Sequence, residues 1–507
     1  MILNFKAYAY DLDSASMNNS CVPIVKTTTV EMILPHDVIF ILLRLIKKGY
    51  DAYVVGGCVR DTICNQLFET NYPIHDYDIT TNATPEQIME VFNDYKVIPT
   101  GLKHGTVTIL LNNKTYEITT YRKESGYSDH RHADRIEFVD TLKEDLSRRD
   151  LTINAIAYNP LEGFVDPFNG ALDIYNKTIR CVGNPNERLQ EDALRILRVL
   201  RFASNRGFTI EEETEKAICN PDNYRWLKTI SRERITDELR KMLNVNPCLI
   251  DIPEKVNYLI NKIHYEYLEI FNTILPGFYL IYAYNASSKH TYMLEHNLAT
   301  LFNLRKTFSS DYSFSTCMVA LFHDLGKHFA KRIYDEYHDA YDFPNLGEKS
   351  VELFRRSVLP CLRLSNKEIK EIELLILHYD DIIVCNKQAI TEKLIELGSL
   401  ETFKQLYQLQ VADYLDNLYS SNNTEEYLTY LENSYKLACE LVNNKEVCFQ
   451  IKDLNISGDD IINLLHIEAG PLVGTILNKL LEEVVAEKLQ NNKEELTKYV
   501  LDNFNKK

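Results

Sequence analysis

In the run His75-Asp76-Tyr77-Asp78-Ile79-Thr80, two carboxylates stand one residue apart. The period of two along a strand places Asp76, Asp78 and Thr80 on one face and Tyr77 and Ile79 on the other, so both acids point the same way. Neighbouring carboxylates repel, and a shared divalent cation relieves the repulsion; an all-oxygen ligand set open to phosphate suits Mg2+. Glu117, in the alternating run Tyr116-Glu117-Ile118-Thr119-Thr120, is a third acid that either completes this site from a neighbouring strand or is an ordinary exposed strand residue. Upstream, the apolar run Tyr53-Val54-Val55 leads into Gly56-Gly57 and then Arg60. The glycines let backbone amides approach a ligand and Arg60 adds a cation, which is what a triphosphate needs. Two metal ions in such a site hold a triphosphate in line with an attacking hydroxyl, with no covalent intermediate.

Two further clusters bear on the same chemistry. Asp145-Leu-Ser-Arg148-Arg149-Asp150-Leu-Thr-Ile-Asn154 sets paired cations beside an acid and an amide. Arg149 suits phosphate, and Asp150 and Asn154 suit ribose hydroxyls; the plainer alternative is a helix cap with surface ion pairs. The spacing from Glu191 to Arg201 predicts one helix in which Asp192, Arg195, Arg198 and Arg201 form a polar stripe beside buried leucines. An aspartate that accepts and an arginine that donates can both pair with cytosine or adenine, each of which offers an exocyclic amine beside a ring acceptor. Uracil and guanine turn a carbonyl toward the carboxylate instead, so such a pair selects C and A without a template strand.

The elements that must position these residues are legible in outline. Helical spacing of Val38, Ile39, Ile41, Leu42, Leu45 and Ile46, alternation at 76–80, 106–111 and 116–120, and a helix after Pro85 predict a small mixed α/β domain over residues 31–160. From about residue 185 the pattern is helical. The expected fold class is α+β, with a mixed-sheet head over 31–160, a helical neck over 161–250, a helical body over 251–400 and a helical tail over 401–507. Residues 1–30, polar and without helical or strand period, are expected to be a flexible extension.

Composition sets the outer bounds. A chain of 507 residues with 45% apolar content divides into several cores. Eleven scattered cysteines suggest neither a disulfide framework nor a paired zinc site, and no apolar run is long enough for a membrane span, so a reducing, cytoplasmic location is expected. The net charge of −17 argues against a nucleic-acid partner, yet residues 100–241 carry 23 Lys+Arg and 23 Asp+Glu, which leaves room for a local RNA-facing surface.

The ordered set VVGGCVRD (54–61), DYDITTNATPEQI (76–88), TGLKHGTVTI (100–109), YEITTYR (116–122), DLSRRDLTINAIAY (145–158), EDALRILRVLRFA (191–203) and SRERITDEL (231–239) resembles the class II tRNA nucleotidyltransferase and bacterial poly(A) polymerase family. The resemblance implies a polymerase-β-like head that extends the 3′ end of tRNA with C and A from CTP and ATP, using two Mg2+ ions for which Mn2+ can substitute. It assigns triphosphate and metals to Gly57, Arg60, Asp76 and Asp78, ribose and phosphate to Arg149, Asp150 and Asn154, and the base to Asp192 and Arg195 with Arg198 and Arg201 nearby. The retained stretch 122–135 implies full CCA addition over CC-only addition, and the connection from Arg60 to Asp76, longer than the family's, implies a surface insertion. Poly(A) polymerase and partial CC- or A-adding activities stay open, and a monomer and a homodimer are equally compatible. His296, His323-Asp324 and Asp380 or Asp381 follow the order of ligands in HD-domain metal hydrolases, and Gly347 stands about where many of those supply another histidine. That resemblance leaves three readings: a structural HD-like fold, a phosphohydrolase beside an active head, or a phosphohydrolase with a silent head.

Overall fold

A computed structural model of the chain describes residues 3–9, 24–99, 101–127, 134–243, 262, 266–282, 293–309, 311–330, 333–335, 340–416, 424–444, 447–486 and 488–504. The chain divides into two compact units, Met1–Leu275 and Pro276–Lys507.

In the first unit the strands used below are β1 (Leu3–Ala9), β2 (Ile24–Val30), β3 (Ala52–Val55), β4 (Asp78–Thr81), β5 (Lys96–Ile98), β6 (Thr106–Leu111), β7 (Lys114–Thr120), β8 (Arg122–Ser125), β9 (Arg135–Phe138), β10 (Ala157–Asn159) and β11 (Gly163–Val165). The helices used below are α1 (His36–Lys47), α2 (Gly57–Phe68), α3 (Pro85–Val91), α4 (Leu142–Ser147), α5 (Gly170–Tyr175), α6 (Pro185–Glu191), α7 (Leu194–Arg206), α8 (Glu212–Ile218), α9 (Pro221–Tyr224) and α10 (Arg232–Leu243). Seven strands form one mixed sheet in the order β11-β10-β3-β4-β7-β6-β5. All four residues of β3 are buried, as its unbroken apolar run requires, whereas β7 alternates, with Tyr116, Ile118 and Thr120 inward and Lys114 and Glu117 outward. Helix α1 buries Val38, Ile41, Leu42 and Leu45, and α3 starts at a Thr84–Gln87 capping box with Pro85 in its first turn.

Four expectations change. Within residues 1–30, β1 and β2 pair antiparallel from Leu3↔Val30 to Ala9↔Ile24, so part of the expected extension is a hairpin; its Val- and Thr-rich second arm carries strand propensity that a polarity count overlooks. Strand β4 starts at Asp78, so Asp76 lies on its approach and the period of two applies only to Asp78 and Thr80. The long connection after Arg60 is not simply surface: Tyr72 is buried beneath the Arg206 guanidinium, which stands 3.5 Å from its ring centroid, and Phe68 meets Phe208 edge-on. The single helix expected over 191–201 breaks between α6 and α7, because Asp192 is extended (φ −146°, ψ 104°) and its Oδ1 accepts the Leu194 N–H at 3.1 Å, ending one helix and capping the next.

In the second unit, helix Met293–Phe308 packs against Phe314–Phe322 and against Leu400–Asp416, so the boundary expected near residue 400 falls inside one core. Toward the C-terminus, Gly458–Leu465, Pro471–Val485 and Lys493–Phe504 close around Ile461, Ile476, Leu480, Leu496 and Val500. No helix among the described residues is long and apolar enough to cross a membrane.

Gly347 opens helix Leu346–Ser357 where a Cβ would lie 2.4 Å from the Leu377 carbonyl oxygen, at the end of helix Asn366–Leu377. The position that the HD resemblance suggested for a histidine therefore has room for hydrogen alone. Gly347→Ala should destabilise the second unit by about 1–3 kcal/mol through overpacking. Thermal unfolding checks this, and an unchanged midpoint would mean that the two helices stand further apart.

Candidate active site

Strands β4 and β7 run parallel with Ile79 opposite Ile118, so Asp78 and Glu117, each one residue earlier, lie side by side on the same face. Asp76 joins them from the approach, and all three acids line a cavity of about 900 Å3 with His36, Asp37 and Lys114. Burial raises the Asp78 carboxyl, Arg149 draws it back down and Asp76 raises it again. Behind Asp78 the backbone is Gly56, at φ +81°, where a Cβ would stand 3.3 Å from Arg149 Nη1 and 3.8 Å from Asp78 Oδ2. Only glycine suits both that torsion and that gap. Helix α2 begins at Gly57 without a side-chain cap, leaving its first-turn amides to a ligand.

Asp145 anchors this corner. It is fully buried; its Oδ2 accepts from Thr80 Oγ1 at 3.2 Å, and its Oδ1 accepts from the Arg122 amide at 3.3 Å and from Arg148 Nε and Nη2 at 3.0 and 2.9 Å. Arg149 Nη2 lies 3.7 Å from its Oδ2, which carries that guanidinium toward Gly56 and Asp78. Sequence reasoning quoted Asp145 without giving it a role; its spacing of three and four residues to Arg148 and Arg149 was the available signal.

The remaining polar residues form a web. Arg60 donates to both carboxylate oxygens of Asp61 at 2.8 and 2.9 Å and through Nη1 to Asn154 Oδ1 at 2.6 Å. Asn154 donates to Asp150 Oδ1 at 3.0 Å, and Asp150 Oδ2 accepts from Arg198 Nε at 2.7 Å. Burial alone would raise the Asp150 carboxyl; the Arg198 charge and the Asn154 amide hold it well below the usual carboxylate range. Arg60, Arg198 and Arg201 surround the Phe202 ring at 4.8, 5.7 and 4.1 Å from its centroid, and Arg201 also pairs with buried Glu238. Arg60, expected on triphosphate, is thus engaged with Asp61 and Asn154. Arg195 is fixed by Glu191 Oε2 at 2.6 Å and by the carbonyls of Arg188 and Arg148, both at 3.1 Å. Asp192 is gripped by Arg234, to which no role was given from sequence.

In the second unit His296, His323 and Asp324 come together, and the chain supplies Asp413 where Asp380 was expected. His296 Nε2 is 2.9 Å from Asp413 Oδ1 and its Nδ1 is 2.8 Å from Asp416 Oδ2. Asp380 lies beside this cluster, lining a cavity of about 600 Å3 with Lys327. Asp381 is engaged elsewhere, with His378 and Lys393, both at 2.6 Å. No local spacing links Asp413 to His296; only the packing of Leu400–Asp416 on Met293–Phe308 does.

A CCA-adding enzyme of Bacillus cytotoxicus is 32% identical over 462 residues, covering 91% of this chain and 96% of that relative. The chain belongs to the CCA-adding enzyme family. Other CCA-adding enzymes match more closely over less: that of Lactobacillus helveticus is 50% identical over 202 residues, which are 40% of this chain and 48% of the relative, so the match spans about half the length of such relatives. The crystal structure of the Bacillus stearothermophilus CCA-adding enzyme in complex with CTP superposes with a TM-score of 0.59 at 27% identity, covering 93% of this chain and 98% of that one. Residues 52–180 match the Poly A polymerase head domain family, 207–246 the probable RNA and SrmB-binding site of polymerase A, and 349–500 the putative tRNA nucleotidyltransferase domain 2.

In this CCA-adding enzyme family member the Asp150–Arg198 pair has a pH signature. A carboxyl depressed on folding contributes stability that is complete above the unfolded aspartate pKa of ~4 and is lost as pH falls through the lower folded value. Arg198→Gln should therefore cost about 1–3 kcal/mol at neutral pH and progressively less below pH ~4. Urea titrations at both ends of that range test it, and a penalty independent of pH would show that the pair does not stabilise the ionised carboxylate.

Proposed function

We propose that this chain adds cytidine and adenosine, without a template, to the 3′ end of tRNA from CTP and ATP. The observation that carries the reading is the set Asp76, Asp78 and Glu117 on one cavity wall, with Gly56, the open start of α2 and Arg149 directly behind. Three carboxylates open to a cavity are the donor set that Mg2+ takes. Bound there, Mg2+ would lower the pKa of the primer hydroxyl and neutralise charge on the departing pyrophosphate. The first-turn amides of α2 and the Arg149 guanidinium receive triphosphate oxygens. Asp150 and Asn154, preset by their mutual bond, meet the ribose, and Asp192 with Arg195 reads the base. The relative solved in complex with CTP supports the nucleotide assignment, and the absence of a membrane-length helix among the described residues accords with a cytoplasmic enzyme. The tip of the stretch 122–135 lies outside the described residues, but β8 and β9 frame it as a hairpin, which favours full CCA addition over CC addition.

A second reading concerns the histidine–aspartate cluster. His323 Nδ1 faces the carbonyls of Val319 and Ala320 at 3.3 and 3.2 Å, and its buried Nε2 lies 3.4 Å from Asp324 Oδ2. One ring nitrogen each of His323 and His296 and a carboxylate oxygen of Asp413 lie within 4.8 Å of one another, a spacing that one divalent ion can bridge. We infer a metal site of phosphohydrolase type in the second unit, independent of nucleotidyl transfer.

Both readings are tested together. With tRNA lacking its end, CTP and ATP should yield CCA termini on sequencing; Asp76→Ala should abolish the product, and His323→Ala should spare it while lowering divalent metal content measured by elemental analysis. Long A tails without C would overturn the first reading. Loss of transfer in the His323 variant alone would move the activity to the second unit.

A further inference from the structure

Arg234 lies on α10 and grips Asp192 from outside the residues so far assigned to the nucleotide: Nη2 donates to Oδ2 at 2.6 Å and Nη1 to Oδ1 at 3.3 Å. One turn further along the same helix face, Glu238 pairs with Arg201 of α7. Helix α10 is thus tied to both sides of the break between α6 and α7.

The hydrogen-bonding capacity that remains is informative. A carboxylate has about four lone-pair positions. Arg234 takes one on each oxygen of Asp192 and the Leu194 amide takes a second on Oδ1, which leaves a single accepting position, on Oδ2. Arginine has about five N–H groups. Arg195 spends two of Nη1 and one of Nη2 on Glu191 and two carbonyls, leaving Nε–H and one N–H of Nη2, the side-on edge of the guanidinium. The pair therefore keeps one acceptor and two donors for a ligand. Cytosine is the complement, with an exocyclic amine beside two acceptors; adenine matches the amine and the first acceptor; uracil places a carbonyl against the acceptor.

We propose that Arg234 is the positioning residue that sets base specificity, by locking the Asp192 carboxylate so that its one unfilled lone pair meets an exocyclic amine. This rests on the base-reading role of Asp192 and Arg195 given above. Without Arg234 the carboxylate is free to rotate, so its unfilled lone pair is no longer held toward an exocyclic amine and the discrimination against uracil falls.

The test measures affinities for CTP and UTP by equilibrium titration of the protein alone, and incorporation efficiencies of both on tRNA lacking its end. Arg234→Gln should reduce the preference for CTP over UTP by about ten- to a hundredfold, with Arg234→Lys, which keeps the charge and loses the fork, in between. In an Asp192→Ala background, Arg234→Gln should change the ratio no further. An unchanged ratio in folded Arg234→Gln and Arg234→Lys, an equal loss for both nucleotides, or a full additional loss in the Asp192→Ala background would overturn the proposal. If the wild-type chain does not extend tRNA yet binds CTP over UTP in an Arg234-dependent way, the transferase reading fails and this one stands. If it builds CCA with a selectivity indifferent to Arg234, the reverse holds.

Discussion

The carboxylate of Asp145 has no exposed surface and collects hydrogen bonds from the side chain of β4, from the backbone just after β7 and from the arginine that ends α4. Those segments carry Asp78, the strand of Glu117 and Arg149, so one buried charge sets the spacing of the acids proposed to hold metal and of the arginine proposed to hold phosphate. A neutral residue there would leave Arg148 and Arg149 half-buried with less compensation, and their mutual repulsion would push Arg149 away from Gly56. The parallel pairing of β4 with β7 then does the remainder, because register alone brings Asp78 beside Glu117.

How much of this was legible in the sequence depended on distance along the chain. Asp78 and Glu117 follow from alternation, Gly56 and Gly57 from composition at a strand end, and the grouping of Arg149, Asp150 and Asn154 from proximity within one segment. What depends on packing between remote segments was hidden: Tyr72 beneath Arg206, Asp413 beside His296, Arg234 on Asp192. The break at Asp192 was hidden for a different reason, since leucine periodicity runs through it and the backbone departs from helix only because the aspartate caps the following turn. In the N-terminal hairpin, β-branched threonines read as polar by composition behave as strand formers in the fold.

Charge counting is also reinterpreted by the structure. The balanced region 100–241 gave room for an RNA-facing surface, yet many of its arginines are internal. Arg148, Arg195, Arg198, Arg201, Arg206 and Arg234 all make ion pairs with acids of the first unit. Their positive charge shapes the site from within and contributes little to long-range attraction of a polyanion. The RNA binding proposed for this chain would accordingly rest more on the fit of surfaces and on local phosphate contacts than on a broad basic field.

The interruption between α6 and α7 has a mechanical consequence. Had Asp192 and Arg195 sat on one unbroken helix, the gap between their side chains would be fixed by the helical rise. With Asp192 in extended backbone and Arg195 in the first turn of α7, that width depends on a few torsions at the joint. A small rotation there changes the gap between the two side chains while every rung of α7 stays intact.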